Sequence, residues 1–240
     1  MKQRLDIIMV ERGLAETRTK AQALVMAGQV STDGRILDKP GQSFDDQIPL
    51  YLKDQSRYVS RAGEKLASVA ETLGLDFQGK IVLDVGSSTG GFTDFALQAG
   101  AGKVYCVDVG TAQLAYRLRQ DARVVIMEQT DIRDAELPAP ADIAVIDVSF
   151  ISLTKILEAV AQLIKSGGSI VAMAKPQFEA GKALADKYNG IIPIGEERDE
   201  VLTVLREWIQ QKFTILGEAD SGLAGAKGNL EYFFLLQTKS

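Results

Sequence analysis

Four charged residues each close an apolar run: Asp84 after IVL, Asp108 after KVYCV, Asp147 after IAVI and Lys175 after SIVAMA. Such runs read as buried strands, and their charged ends fall where open α/β sheets bind ligands. The first opens into DVGSSTGGFTD, an acid followed by a glycine-rich turn and a helix start. Gly86, Gly90 and Gly91 lack the Cβ that would keep backbone away from a ligand. Ser87, Thr89 and Phe92 complete the candidate binding turn.

The spacing selects the ligand. The dinucleotide fingerprint G-x-G-x-x-G requires glycine where Ser88 stands, and the phosphate-cradling G-x-x-x-x-G-K-[ST] is absent, so a phosphate-bearing cofactor is disfavoured. Asp108 lies roughly 20 residues beyond the loop, where an acid can hydrogen-bond ribose hydroxyls. Asp84 and Asp108 suit a nucleoside carrying positive charge. S-adenosyl-L-methionine combines adenosine, a sulfonium cation and no phosphate, and it is the expected cofactor. Asp131 and Asp147 are the remaining cofactor-binding candidates.

Composition limits the chemistry further. The chain has no histidine and one cysteine, which excludes Ser-His and Cys-His nucleophile systems and the commonest zinc clusters; no metal site is expected. Cys106 sits inside an apolar run and reads as core packing. Attack on a pyrimidine ring carbon normally uses a cysteine nucleophile, so base-carbon methylation is disfavoured. Amine methylation usually accompanies an N/D-P-P-Y/F loop, whereas this chain has Asp147-Val148-Ser149-Phe150. A ribose hydroxyl is the better acceptor.

These residues need elements to hold them. At 240 residues and 46% hydrophobic, the chain is long enough for one large domain and one small one. The polar stretch KDQSRYVS marks the join, giving an N-terminal domain over 1–53, a linker over 54–60 and a second domain over 61–240. In the first, Leu5, Ile8 and Met9 have helical spacing, a second helix spans Thr17 to Ala27, Asp33-Gly34 marks a hairpin, and IPLYL reads as a strand. The second domain alternates strand and helix signals as a doubly wound, Rossmann-like α/β sheet does. After a helix at Gly63–Leu73, strands are expected at Ile81–Asp84, Val104–Asp108, Val124–Met127, Ile143–Asp147, Ser169–Ala174, Phe213–Glu218 and Tyr232–Gln237. No helix separates the last two, so the final strand should run antiparallel beside the sixth.

Charge is unevenly shared. Residues 1–61 carry ten Lys/Arg against eight Asp/Glu, net +2, leaving −7 for the rest of a chain of net charge −5. Arg4, Arg12, Arg18, Lys20, Arg35 and Lys39 cluster around the second helix and hairpin, as a phosphate-meeting patch or a solvated face. The start, MKQRLDIIMVERG, is too charged for a signal sequence and no apolar run spans a membrane, so a cytoplasmic protein is expected.

The order of R-L-D, G-L, T-R-x-x-A, G-x-V and D-G in RLDIIMVERGLAETRTKAQALVMAGQVSTDGRILDKPG resembles the S-four-type, or alpha-L, RNA-binding domain. The resemblance implies that Arg4, Arg18, Lys20 and Gln22 face RNA. The strings SRAGEKL, DVGSSTGGFTD, VDVGTAQL, DVSFISL, KPQFE and GNLEYF resemble the FtsJ-like ribose 2'-O-methyltransferases, and the whole chain resembles the TlyA family, also labelled hemolysin A. By motif, that resemblance carries the Lys-Asp-Lys-Glu catalytic set onto Lys65, Asp147, Lys175 and Glu231. It also implies cytidine ribose in ribosomal RNA or ribosomal subunits as the substrate.

The four residue types suit the reaction. A ribose hydroxyl is a poor nucleophile until a base holds its proton. Lys175 is the candidate base, and repulsion from the sulfonium and Lys65 favours its neutral form. A hydroxyl-orienting cation is the alternative role. Two other functions stand beside the enzyme: a membrane-active hemolysin, and an RNA-binding regulator with a vestigial cofactor site.

Overall fold

Leu5, Ile8 and Met9 bury one face of a short helix in the computed structural model, which describes residues 2–53, 57–225 and 228–239. The chain divides into two compact units, Met1–Gln55 and Ser56–Ser240. Of the expected linker, residues 54–56 lie outside the described residues; Arg57–Ser60 are described with the second unit.

The first unit runs β1 (Lys2–Arg4), α1 (Leu5–Glu11), α2 (Arg18–Met26), β2 (Val30–Thr32), β3 (Arg35–Ile36), β4 (Ser43–Asp45) and β5 (Tyr51–Leu52). Thr17 caps α2, its hydroxyl accepting the Lys20 N–H at 3.2 Å, and so satisfies one of the first-turn donors. β2 and β3 form the expected hairpin, with Asp33 and Gly34 both at positive φ in its two-residue turn. Two features differ from expectation. IPLYL contributes only Tyr51–Leu52 as a strand, and β1 pairs with β4 in a separate two-stranded sheet. Three-residue strands are too short to show an alternating pattern, so the sequence did not announce them.

The second unit begins with α3 (Arg61–Ala70), then β6 (Ile81–Val85), α4 (Gly91–Gln98), β7 (Lys103–Val107), α5 (Tyr116–Arg119), β8 (Val124–Met127) and β9 (Ala141–Ile146). It continues through α6 (Leu157–Gln162), β10 (Ile164–Ala174), α7 (Pro176–Glu179), α8 (Gly181–Lys187), α9 (Glu196–Lys212), β11 (Phe213–Asp220) and β12 (Tyr232–Thr238). The sheet order is β11-β12-β10-β9-β6-β7-β8, with β6 to β10 parallel. β12 is antiparallel and lies beside β11 as expected, but it also inserts against β10. That insertion sets the start of β12 next to the end of β10.

Alternation along the strands divides the core. Val82, Val104, Cys106, Ile143 and Val145 face α3 and α4, while Leu83, Tyr105, Ala144 and Ile146 face α6 and α9. Both faces are covered, which is why these strands read as continuous apolar runs. The chain order reverses between β6 and β9, so a crevice opens beyond their carboxyl ends. Among the described residues no helix is long and apolar enough to cross a membrane.

Close backbone contact fixes α3 against α4. A Cβ on Gly63 would stand 2.4 Å from Tyr58 Cβ and 2.8 Å from the Gly91 carbonyl oxygen. Gly63→Ala is therefore expected to destabilise the second unit by about 1–3 kcal/mol, read as a lower denaturant midpoint. An unchanged midpoint would show that α3 does not need this approach.

Candidate active site

The loop after β6 is built around Gly86, which has φ +78° and whose Cβ would meet the Asp147 carbonyl oxygen at 2.6 Å. Asp147 follows β9 directly, its N–H donating to Val85 O at 3.0 Å. Loop and acid are thus held together by strand pairing and by the missing side chain. Gly90 has φ +92° at the start of α4 and packs against Leu114 and Leu118 instead of lining the crevice. Ser88, which stands in for a fingerprint glycine, adopts a left-handed φ of 46°. Its N–H donates to Asp108 Oδ2 at 2.7 Å and its hydroxyl to Gln113 at 3.1 Å, holding a conformation that costs a non-glycine residue energy.

A cavity of about 340 Å³ opens here, lined by Gly86, Asp108, Asp131 and Asp147 together with apolar Val85, Val109, Ile132 and Ile151. A smaller one of about 80 Å³ is lined by Asp84, Ser87, Thr89, Gly91 and Phe92, and shares Gly86, Ser88 and Asp147 with the first. The adjoining pair suits a ligand with an extended apolar-edged part and a compact charged part. Asp108 accepts the Gly110 N–H through Oδ1 as well as that of Ser88, so its carboxylate is oriented by backbone. Asp131 pairs with Arg133, whose guanidinium draws its carboxyl down to about 2. Asp84 is fully buried; Thr93 donates to its Oδ2 at 2.6 Å and also contacts Cys106 Sγ at 3.0 Å, while Oδ1 has no partner. Burial pushes the Asp84 carboxyl up to about 7, against the Thr93 hydrogen bond and with the help of nearby Asp147 and Asp108. The orphaned Oδ1 beside a cavity, the glycine-lined approach and the ring of acids fit S-adenosylmethionine.

The four residues matched to the catalytic set form two ion pairs, Lys65–Glu231 buried and Lys175–Asp147 half-buried. Lys175 Nζ lies 2.6 Å from Asp147 Oδ1 and donates to Ser149 Oγ at 2.9 Å. Lys65 Nζ, from α3, donates to Glu231 Oε1 at 2.6 Å. Ala174 pairs with Tyr232 across β10 and β12, so Lys175 and Glu231 occupy neighbouring positions at one end of the sheet. Lys65 faces a carboxylate, so its charge is balanced locally and does not confront Lys175 as a bare cation. Ser149 and Thr93 were not singled out by sequence. Their only signal was adjacency to Asp147 and to the glycine loop.

In the first unit, Arg4, Arg18 and Gln22 all converge on Asp6, which is fully buried. Arg4 clasps it through Nε and Nη2 at 3.0 and 2.9 Å, Arg18 through Nε at 2.9 Å, and Gln22 through Nε2 at 2.7 Å. Lys20 instead pairs with Glu16 on the exposed side of α2. Arg18 keeps about half its side-chain surface exposed, 53%. The R-L-D motif includes Asp6, but sequence reasoning gave it no role, because nothing local shows that a carboxylate beside basic residues is buried under them. Among the described residues, no group of three or more His, Cys, Asp or Glu could hold a metal.

A doubly wound sheet of this order, with a glycine turn and acids at its carboxyl end, defines an S-adenosylmethionine-dependent methyltransferase. Residues 58–238 match the model of the FtsJ-like methyltransferase family, and residues 3–45 match that of the S4 domain. The chain is 45% identical to a Bacillus subtilis protein named "Putative rRNA methyltransferase YqxC", over 98% of this chain and 85% of that one. It is 38% identical to the 16S/23S rRNA (cytidine-2'-O)-methyltransferase TlyA of Mycobacterium tuberculosis, over 99% of this chain and 90% of that one. A solved structure described as "Putative hemolysin from Streptococcus thermophilus" is 44% identical with a TM-score of 0.74, covering 100% of this chain and 90% of that one. The chain belongs to the FtsJ-like methyltransferase family, as an S-adenosylmethionine-dependent RNA 2'-O-methyltransferase with an N-terminal S4 domain.

Two pH-dependent outcomes follow from the buried acids. A cationic ligand group beside Asp84 favours its ionised form, so S-adenosylmethionine affinity should rise as pH increases through about 7. Titration calorimetry from pH 6 to 8 checks this, and an equal pH slope in Asp84→Asn would overturn it. The Asp6 carboxyl is held far below its ordinary value by the Arg4 hydrogen bonds, then those of Gln22 and Arg18. Its stabilisation is therefore complete above the unfolded value, about 4, and is lost as pH falls below it. Asp6→Ala should cost about 1–3 kcal/mol, seen as faster amide exchange in α1 and α2 at neutral pH.

Proposed function

We propose that this protein methylates the 2'-hydroxyl of a cytidine ribose in ribosomal RNA, acting in the cytoplasm, with residues 61–240 carrying the chemistry and residues 1–53 gripping RNA. The observation that carries the reading is the Lys175–Asp147 pair at 2.6 Å, whose acid lies on the wall shared by the two cavities. The names of relatives support the substrate: the M. tuberculosis TlyA acts on cytidine ribose of 16S and 23S rRNA.

S-adenosylmethionine, when bound, supplies an electrophilic methyl group. Asp84, Gly86, Ser87, Thr89, Gly91, Phe92, Asp108, Asp131 and Asp147 would hold it, with Gly90 shaping the turn. Lys175 meets the acceptor hydroxyl and takes or holds its proton, which an alcohol must yield to become a good nucleophile. Asp147 fixes the Lys175 amine, and Glu231 fixes that of Lys65, so two cations are brought to the site with two carboxylates to balance them.

In the N-terminal unit, Arg4, Arg18, Lys20 and Gln22 form the RNA-facing set. Asp6 holds two guanidiniums side by side and leaves a net positive cluster, suited to adjacent phosphates. RNA binding should weaken steeply with salt.

With labelled cofactor and ribosomal subunits or free rRNA, label should appear on cytidine 2'-oxygens. Lys175→Ala is expected to lower turnover by about 100-fold or more, and Arg18→Ala with Lys20→Ala to weaken RNA binding while leaving cofactor binding intact. Label on base carbons or amines would overturn the ribose assignment, and full turnover of Lys175→Ala would overturn the role of that amine.

A further inference from the structure

We propose that Ser149 is a positioning residue of the transfer site, fixing the direction of the Lys175 amine; this rests on Lys175 being the group that meets the acceptor hydroxyl. Asp147 Oδ1 lies 2.6 Å from Lys175 Nζ as an ion pair without hydrogen-bond geometry, whereas Ser149 Oγ accepts a hydrogen bond from the amine at 2.9 Å. The ion pair keeps a flexible amine close to the acid, but a hydrogen bond is directional, so Ser149 is the group that sets how the amine is turned. Asp147 and Ser149 both line the larger cavity, so the amine is turned from that cavity's wall.

The segment carrying Ser149 is itself fastened to the segment carrying Lys175. Phe150, next to Ser149, has a left-handed φ of 66°, and its largely exposed ring meets Phe178 at a tilt of 46° with centroids 5.0 Å apart. Ser152 Oγ donates to Glu179 Oε2 at 2.6 Å, and Leu153 N donates to Glu179 Oε1 at 2.9 Å. Phe178 and Glu179 belong to α7, which starts at Pro176 directly after Lys175. Three contacts thus run in step: Ser149 with Lys175, Phe150 with Phe178, and Ser152–Leu153 with Glu179. A clasp closed at two points beyond Ser149 holds its hydroxyl at the amine, and the strained Phe150 backbone is kept by that clasp. An incidental surface serine would need none of this.

Ser149→Ala should lower kcat roughly tenfold, the scale of one hydrogen bond to a charged group, with KM for RNA and cofactor affinity within about twofold of wild type. Ser149 is exposed, so the extra methyl of Ser149→Thr has room, and that variant should recover most of the lost kcat. An unchanged kcat in Ser149→Ala, a loss confined to KM or cofactor affinity, or a loss that Ser149→Thr fails to restore would each overturn the assignment. A wild-type protein that transfers no methyl group to RNA would instead bring down the functional reading and this inference with it. Wild-type activity alongside an inert Ser149 removes only the latter.

Discussion

The approach of Gly86 to the Asp147 carbonyl is the constraint on which this molecule's chemistry depends. Parallel pairing of β6 with β9 brings the two strand ends level, and the left-handed glycine turns the chain across Asp147 with no room for a side chain. Because of that contact, the two cavities share a wall, and the acid on that wall also holds the Lys175 amine. A bulkier or differently turned residue at position 86 would push the glycine loop away from Asp147 and so from the Lys175 amine.

Charge is handled differently in the site's two parts. Where β10 and β12 end, buried Lys65 and half-buried Lys175 each have a carboxylate oxygen at 2.6 Å, so the cost of desolvating the ions is offset pair by pair. Around the glycine loop, acids line the cavities without matching cations: buried Asp84 accepts from the Thr93 hydroxyl, and Asp108 is held by backbone N–H groups. A cationic ligand there would offset that surplus of negative charge. The N-terminal unit uses the inverse arrangement, with one buried carboxylate gathering two arginines whose outer nitrogens remain available for anions.

Much of this was readable from residues alone. The strands ending at Asp84, Asp108 and Asp147 were visible because central parallel strands are apolar on both faces, and the glycine turn because few residues tolerate its backbone. Less visible were elements whose signals are short or shared. The β1–β4 pair has three residues a side, and the place of β12 between β10 and β11 depends on pairing that no local pattern encodes. The basic residues of the first unit were legible as a patch, but their common anchor at Asp6 was not, since a lone acid among arginines looks the same whether buried or solvated.

The sequence by itself determined the cofactor class, through a glycine loop without a phosphate signature and acids at strand ends, and it determined which chemistries were closed to a chain without histidine. Those are properties of residue identity and short-range spacing. Only the tertiary structure decided that Lys65 meets Glu231 across 166 positions and that Ser149 meets Lys175 across 26. Such contacts arise from strand order and from helices packed over the sheet, and a side chain's partner is fixed by which elements share an edge, information that is spread over the whole chain and present at no single place in it.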